Sequence, residues 1–345
     1  YSLPEDLIAQ TPLEKRDASK LLVLNKETWK LKDKKFSDIL KYLWEDDVLV
    51  VNQTKVINAR LIWKIEWWKE CEIFLHKKVS ESSWECLVYP GKKLKVWKKV
   101  NFSSPSPDKE RGLGGEVSLT GTIKSITITG RIVEFDKTWV EFLTAVDKVG
   151  QVPLPHYIKE KLENSKRYQT VFHKTSGSVA APTAWLHFTE ELLEKLEKAW
   201  VKIEKVLLHV WLWTFTPVET ENIKDHKMHS EYIEIDKEAA NRLNKYKKAG
   251  KRIIAVWTTS NRALESFSND KGVLWHWSKE TDIFIYPWYK WKFVDSLITN
   301  FHLPKSTLIM LVSAMAGRKN IKKAYTHAIL HKYRFFSFWD AMWIK

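Results

Sequence analysis

The alternation of apolar and polar positions divides the chain into two textures. Residues 1–59 contain an amphipathic helix candidate, "FSDILKYLWEDD", running into a strand, "VLVVN", which together read as α/β structure. From Leu61 to Phe135 the pattern changes to short alternating runs, "CEIFLHKK", "WECLVYPG", "GEVSLTG" and "IKSITITGRIVEF". Turn residues separate these runs and no helical period intervenes, so a small antiparallel sheet or barrel is expected. Inside it, "SSPSPDKERGLGG" reads as a polar loop. After "TWVEFLTAVDKVGQVPLP" the α/β pattern returns and continues to the end.

The expected fold is mixed α/β, with a small antiparallel β-barrel-like domain inserted into a larger α/β domain. Residues 1–60 and 137–345 form the discontinuous α/β domain, and residues 61–136 form the insertion. The strand that precedes the insertion argues for this arrangement over two tandem domains.

Composition narrows the class. The chain has 345 residues, 29% charged and 44% hydrophobic, an ordinary globular balance with length enough for a substantial core. No stretch approaches the roughly 18 uninterrupted apolar residues of a spanning helix, and no signal peptide opens the chain. A cytoplasmic protein without membrane association is expected. The first residue is Tyr1 rather than methionine, so the chain is expected to begin slightly inside the protein. Cys71 and Cys86 lie on strand-like segments, where they read as reduced thiols packed as small hydrophobes. The formal net charge of +15 favours a polyanionic partner, nucleic acid ahead of acidic lipid. A lysine-rich proteome accounts for it almost as well.

Ten of the eleven histidines lie at or beyond His156, which assigns the chemistry to the α/β part. No P-loop, dinucleotide fingerprint, zinc-protease motif or serine elbow is present. No strand runs into a glycine-rich turn of the kind that cradles S-adenosylmethionine in common methyltransferases.

Several long stretches do carry a resemblance. "IAQTPLEKRDASKLLVL", "VAAPTA" with "LHFT", "LHV-L-TF-PV", "MHSEYIE", "TTS-R-LES", "TNFHLPKSTLIMLVSA-AGR" and "YRFFSF-DAM", with dashes at altered positions, look like the S-adenosylmethionine:tRNA ribosyltransferase-isomerase family of queuosine biosynthesis. The match runs from Tyr1 nearly to Lys345. The resemblance implies transfer and isomerisation of the ribosyl group of S-adenosylmethionine onto 7-aminomethyl-7-deazaguanine at the tRNA wobble position. Epoxyqueuosine, adenine and methionine are the products. The partners implied are the anticodon loop of tRNA and S-adenosylmethionine, which is a consumed substrate rather than a cofactor, and a monomer is expected. Such chemistry needs a base beside the sulfonium, an acid for departing adenine, a neutral attacking amine, and a cation, best a forked arginine, for the methionine carboxylate.

Candidates can be assigned on those requirements. His187 precedes Thr189, a plausible N-cap of "EELLEKLEKA", so it sits near a helix start, where a neutral imidazole is favoured. His209 and His302 lie in apolar runs, where a histidine is more often a satisfied core residue than a catalyst. Asp340 is a candidate acid, base or amine anchor, with capping as the alternative. Arg262 follows the strand "RIIAV" and begins a helix, so it stands at a strand carboxyl end, where ligands of α/β proteins gather. It is the favoured carboxylate clamp, with Thr258 and Thr259 as supporting donors and a surface ion pair with Glu265 as the alternative. Thr183 and Arg334, in "APTA" and "RFFSF", complete the substrate-binding set. Arg16, Lys20 and Arg60 are candidate contacts to tRNA phosphates. His226 and His229 are spaced like metal ligands, but without a third partner a polar loop is expected and no metal.

The tryptophans stand apart. The chain has 19 Trp and only 11 Gly, where average usage of about 7% would give roughly 24 Gly. One helix, "NKYKKAG", closes with Gly250 before a strand, as a left-handed C-cap requires; the corresponding "ELLEKLEKAW" closes with Trp200. The resemblance implies glycine at the positions of Trp185, Trp200, Trp211, Trp213, Trp257, Trp288 and Trp339, whereas Trp84 suits its strand. Each indole in a glycine place is expected to cost on the order of 1–3 kcal/mol, so the literal chain reads as an altered form of a normal family member. A non-catalytic RNA-binding protein is the alternative function. It explains the charge and a stacking use of aromatic stripes, but not the histidine-rich half. A small-molecule hydrolase is disfavoured by the absent nucleophile motif.

Overall fold

The run "VLVVN" is the middle strand of a sheet whose order decides where the candidates meet. The computed structural model describes residues 1–11, 13–65, 69–103, 117–153, 175–178, 187–210, 218, 220, 222–335 and 340–345. Two compact units emerge: residues 1–55, 156–175 and 181–345, and residues 56–155 with 176–180. The strands of the larger unit's main sheet, in chain order, are β1 (Lys20–Leu24), β2 (Leu31–Lys35), β3 (Asp47–Asn52), β4 (Lys202–Leu208), β5 (Glu231–Ile235), β6 (Arg252–Val256), β7 (Trp277–Thr281), β8 (Ser296–Asn300) and β9 (Ala341–Ile344). Side by side they follow the order β7-β5-β4-β3-β6-β8-β9-β1-β2.

Strands β4, β3, β6 and β8 are mutually parallel. Every residue of β3 and β8 is buried, as near-continuous apolar runs in a parallel sheet require. Strand β9 runs against β8, with Asn300 opposite Ala341, and parallel to β1, with Ala341 opposite Leu21. The carboxyl ends of β4, β3, β6 and β8 therefore share one sheet edge with the starts of β9 and β1.

The unit's helices are α1 (Glu190–Lys198), α2 (Lys237–Lys248), α3 (Thr258–Phe267), α4 (Thr307–Ala316) and α5 (Arg318–Leu330). Thr189 caps α1 by accepting the Leu192 N–H, as its position before the apolar period predicts. Asp236 and Ser306 cap α2 and α4 in the same way, each satisfying an N–H that the helix leaves unpaired. The helix expected at "FSDILKYLWEDD" is a 3-10 helix over Phe36–Lys41 only. Phe36, Ile39 and Leu43 are buried, but β3 already begins at Asp47, which leaves too little chain for a longer helix.

The smaller unit is a six-stranded antiparallel sheet in the order Arg60–Ile65, Lys69–Lys78, Ser83–Tyr89, Arg131–Phe135, Ser118–Ile126, Lys99–Ser103. Its two edge strands approach each other, so it is nearly a closed barrel. Ile73, Leu75, Trp84, Val100, Phe102, Leu119, Ile123 and Val133 fill it. Cys71 and Cys86 are buried free thiols in that filling. The unit runs further than residue 136, because the helix Trp139–Val149 packs on it. Phe142 lies 4.8 Å from the Phe135 ring and 5.7 Å from Trp84, so residues 137–155 belong here and not with the α/β part. The loop "SSPSPDKERGLGG" falls, apart from Ser103, outside the described residues.

Tryptophan is 19 of 345 residues, yet it supplies five of the seven non-glycine residues with left-handed φ among those described: Trp29, Trp97, Trp200, Trp257 and Trp288. That region is sterically costly for any residue with a Cβ. Trp84 and Trp343 behave otherwise. Both are buried in regular strands, and the Trp343 indole N–H donates to Ser296 Oγ at 2.7 Å. Trp185, Trp211, Trp213 and Trp339 lie outside the described residues.

Candidate active site

The shared edge of the main sheet gathers most of the candidates. From β4 outward it carries His209, then Asn52 ending β3 and Thr54 beyond it, then Trp257, Thr258 and Thr259 where β6 turns into α3, then Asn300 ending β8 and His302 beyond it, then Asp340 before β9 and Ser19 before β1. Four parallel strands at about 4.8 Å spacing span roughly 14 Å, room for an extended nucleoside ligand at the carboxyl ends, where such ligands bind.

Asn52 organises the β3 and β4 ends. Its side-chain amide donates to the Leu208 carbonyl at 2.8 Å and to Thr259 Oγ1 at 3.2 Å, and its oxygen accepts the Leu208 and Thr54 N–H groups. Thr54 Oγ1 lies 2.9 Å from His209 Nδ1, and the His209 ring stacks on Tyr232 at 5.7 Å. Burial pushes the His209 imidazolium down to about 4, so the ring is neutral at neutral pH.

Thr258, Thr259 and Arg262 are all buried in the first turns of α3. Arg262 does not pair with Glu265 at the surface. Glu265 is buried and accepts the N–H groups of Lys292, Phe293 and Val294, while Arg262 Nη1 pairs with the buried Glu231 at the head of β5. Burial lowers the guanidinium to about 10. Its Nε and Nη2, both amide atoms of Asn261 and the Ser260 hydroxyl have no hydrogen-bond partner among the described residues. Buried donors of this kind are ordinarily satisfied, and this set lies beside the edge at a helix start suited to an anion.

His187 sits further along. Ser19 Oγ is 2.9 Å from its Nδ1, Asn300 Nδ2 is 3.4 Å from its Nε2, and Phe36 packs on the ring at 5.1 Å. Burial first, then the nearby Arg334 and Arg16 guanidinium groups, push its imidazolium down to about 3. The neutral ring was expected from the helix start; burial is the larger cause. His302 is buried with Nε2 3.0 Å from Thr299 Oγ1, and burial likewise takes it to about 3. The Tyr325 hydroxyl receives the His302 N–H at 2.8 Å.

Asp340 has the capping arrangement. Its carboxylate accepts the N–H groups of Lys20 and Arg334, each at 2.8 Å, tying the start of β1 to the segment before β9. Burial raises its carboxyl above the ordinary range. Arg334 Nε stands 3.9 Å from it. Thr183 lies outside the described residues.

The candidate phosphate contacts divide between the two units, Arg16 and Lys20 in the larger and Arg60 in the smaller. Lys20 Nζ is spent on the carbonyls of His331 and Lys332 at the end of α5, at 2.8 and 3.1 Å. Arg16 stands near His187. Arg60 belongs to the smaller unit, where it pairs with Glu72 across two strands at 3.0 Å. His226 packs edge-on against Phe284 at 5.4 Å. Ser19, Asn52, Thr54, Asn300 and Glu231 are the polar residues that sequence reasoning missed. Ser19, Glu231 and Asn300 had a signal, since they lie within "IAQTPLEKRDASKLLVL", "MHSEYIE" and "TNFHLPKSTLIMLVSA"; Asn52 and Thr54 had none.

Comparison with known proteins is consistent along the whole chain. The profile of the family described as Queuosine biosynthesis protein matches residues 1–344. The chain belongs to this family. It is 51% identical over 344 residues to the S-adenosylmethionine:tRNA ribosyltransferase-isomerase of Carboxydothermus hydrogenoformans, covering 100% of this chain and 98% of the relative. It is 50% identical over 345 residues to the enzyme of the same name from a Thermoanaerobacter species, with the same coverage. The crystal structure of an S-adenosylmethionine tRNA ribosyltransferase from Thermotoga maritima is similar with a TM-score of 0.56 and 34% identity, over 100% of this chain and 99% of that one. Family membership makes the chain a transferase-isomerase of queuosine biosynthesis. No helix of the described residues is long and apolar enough to cross a membrane.

Proposed function

We propose that this family member transfers and isomerises the ribosyl group of S-adenosylmethionine onto 7-aminomethyl-7-deazaguanine at the wobble position of tRNA, releasing adenine and methionine. S-adenosylmethionine is then spent as a substrate, and no separate cofactor is invoked. The observation that carries the reading is Arg262. Its buried guanidinium keeps Nε and Nη2 without a partner among the described residues, beside two buried threonines at a strand carboxyl end. A methionine carboxylate would satisfy both donors at once.

The neighbouring groups supply the remaining requirements. His209 is neutral, and Thr54 engages Nδ1, which leaves Nε2 to take the proton from the carbon beside the sulfonium. His187, held between Ser19 and Asn300, is a second neutral imidazole on the same edge, placed to pass a proton toward departing adenine. His302, whose Nε2 meets Thr299 and whose N–H meets Tyr325, and Asp340, which caps two N–H groups, are assigned to positioning the edge instead. The amine of the modified base attacks the ribosyl carbon, and methionine leaves with the sulfonium electron pair.

The net charge of +15 supports an anionic partner such as the anticodon stem and loop. We propose that the protein works as a monomer in the cytoplasm. The test is the tRNA itself: after incubation with S-adenosylmethionine, digestion to nucleosides and mass analysis should show the aminomethyl base converted to the epoxy product. Unchanged base in the presence of folded protein overturns the reading.

A further inference from the structure

His327, in the last turn of α5, and His331, its C-cap, lie four residues apart, so both rings leave one face. Across from them stands Asp33 of β2. His327 Nε2 is 3.0 Å from each carboxylate oxygen of Asp33, the two imidazoles stack at 3.8 Å, and one ligand atom from each of the three residues lies within 4.8 Å of the others. We propose that Asp33, His327 and His331 form a site for a divalent ion of the zinc, cobalt and nickel class, separate from the active edge.

Two features show a built site. His331 Nδ1 donates to the His327 carbonyl at 2.8 Å, which fixes the tautomer and leaves the lone pair of Nε2 as the ligand. Tyr333 donates its hydroxyl to Asp33 Oδ1 at 2.6 Å, which holds the carboxylate and leaves Oδ2 for the ion. The ion takes the place of the direct contact between His327 Nε2 and the Asp33 carboxylate. Tetrahedral ligands about 2 Å from zinc stand about 3.3 Å apart, within reach of small side-chain rotations here. Two imidazoles select the borderline metals over magnesium or calcium. Lys319, Lys322 and Lys323 on the same helix oppose any cation, so coordination rather than charge must carry the binding. Bound metal would clip the β1–β2 hairpin to α5.

The test uses tag-free protein stripped with a chelator and titrated with Co²⁺, then Zn²⁺. One equivalent of Co²⁺ should give visible tetrahedral absorption, which Zn²⁺ abolishes. His331→Ala, an exposed change, should remove the absorption and the metal-dependent rise in melting temperature. Absence of the signal, or its survival in both His331→Ala and Asp33→Asn, overturns the site.

A different observation carries a second inference. Trp200 has φ 63 at the end of α1. Trp288 has φ 78 and follows Pro287 in a turn closed by Tyr289 N–H to the Tyr286 carbonyl at 3.0 Å, the position that a type II turn reserves for glycine. Trp97, φ 68, is third in a like turn closed by Lys98 N–H to the Lys95 carbonyl. Trp257 has φ 74 and ψ 160, a region essentially confined to glycine, and Gly317 takes φ 83 and ψ 142 at the start of α5. Trp29, φ 60, closes the turn between β1 and β2. We infer that the protein as its source makes it carries glycine at Trp29, Trp97, Trp200, Trp257 and Trp288. A gene whose source reads UGA as glycine, written out with UGA as tryptophan, would produce the whole set at once and spare tryptophans encoded by UGG.

The gene and the native protein test it together. UGA is expected at these five positions and UGG at Trp84 and Trp343, with an intact mass lighter by at least five indolylmethyl side chains. A native mass that accounts for all 19 tryptophans overturns the inference.

Discussion

Trp200 and Gly250 hold the same place at the ends of α1 and α2. Their φ values are 63 and 76. Val201 N–H reaches back to the Leu196 carbonyl at 3.1 Å, and Lys251 N–H reaches back to Tyr246 at 3.0 Å. Both are the six-to-one bond of a left-handed helix end, and each follows Lys-Ala. Lys332 makes the same turn after α5, so a side chain is tolerated there at a cost. Trp200→Gly should therefore stabilise the protein by about 1 kcal/mol, read as a higher urea midpoint. Trp84→Gly, in the packed core of the smaller unit, should cost at least about 3 kcal/mol. Equal effects of the two would contradict the distinction between them.

Trp257 presents a sharper case, because its buried indole lies at the active edge. Its conformation costs on the order of 1–3 kcal/mol. Trp257→Gly should tighten binding of S-adenosylmethionine by at least about tenfold, or ~1.4 kcal/mol, by calorimetric titration. Unchanged affinity would show that the indole does not obstruct the site.

Arg262 and Glu231 are buried together at 3% and 2% exposure. Arg262→Met should destabilise by about 3–5 kcal/mol, because it strands a buried carboxylate. Adding Glu231→Gln should restore most of that stability. The double variant should still bind S-adenosylmethionine poorly, which separates the clamp from the ion pair; binding like that of the unaltered chain would remove Arg262 from the clamp role.

His187 and His302 set an acid limit. Both titrate near 3 in the folded state, pushed down by burial, against about 6.5 when unfolded. The unfolded chain therefore binds these protons first, and stability is complete above pH 6.5. It falls by up to about 1.4 kcal/mol per pH unit for each histidine as the pH drops from 6.5 toward 3. Urea midpoints from pH 7 to pH 5 should fall less steeply in His302→Gln. Parallel slopes would contradict the buried neutral ring.

The strands were legible because their apolar runs have no rival explanation: "VLVVN" and "RIIAV" could only be buried strands, and Thr189 and Gly250 marked helix ends by their chemistry. The 3-10 helix at Phe36–Lys41 was not, since its apolar spacing suits a longer helix and only the start of β3 cuts it short. Arg262 and Thr259 were singled out through their place after the strand "RIIAV", whereas His209 read only as a histidine in an apolar run, more often core than catalyst. Ser19 and Asn300 lay inside the resembling stretches without a role of their own, and Asn52 outside them, because a single polar residue at a strand end gains a role only when sheet order brings a partner to it. Asp33 was missed for the same reason: the spacing of His327 and His331 lies in the sequence, but their partner comes from a hairpin nearly 300 positions away (residues 33 and 327).

Adenine release is the most direct measure of the proposed reaction. The chain with glycine at the five left-handed tryptophan positions should release adenine from S-adenosylmethionine only when tRNA bearing 7-aminomethyl-7-deazaguanine is present, and Arg262→Met should abolish the release. Folded protein of that sequence that frees no adenine with this tRNA, or frees it equally with tRNA carrying guanine, would contradict ribosyl transfer at the edge built by Asn52, His209 and Arg262.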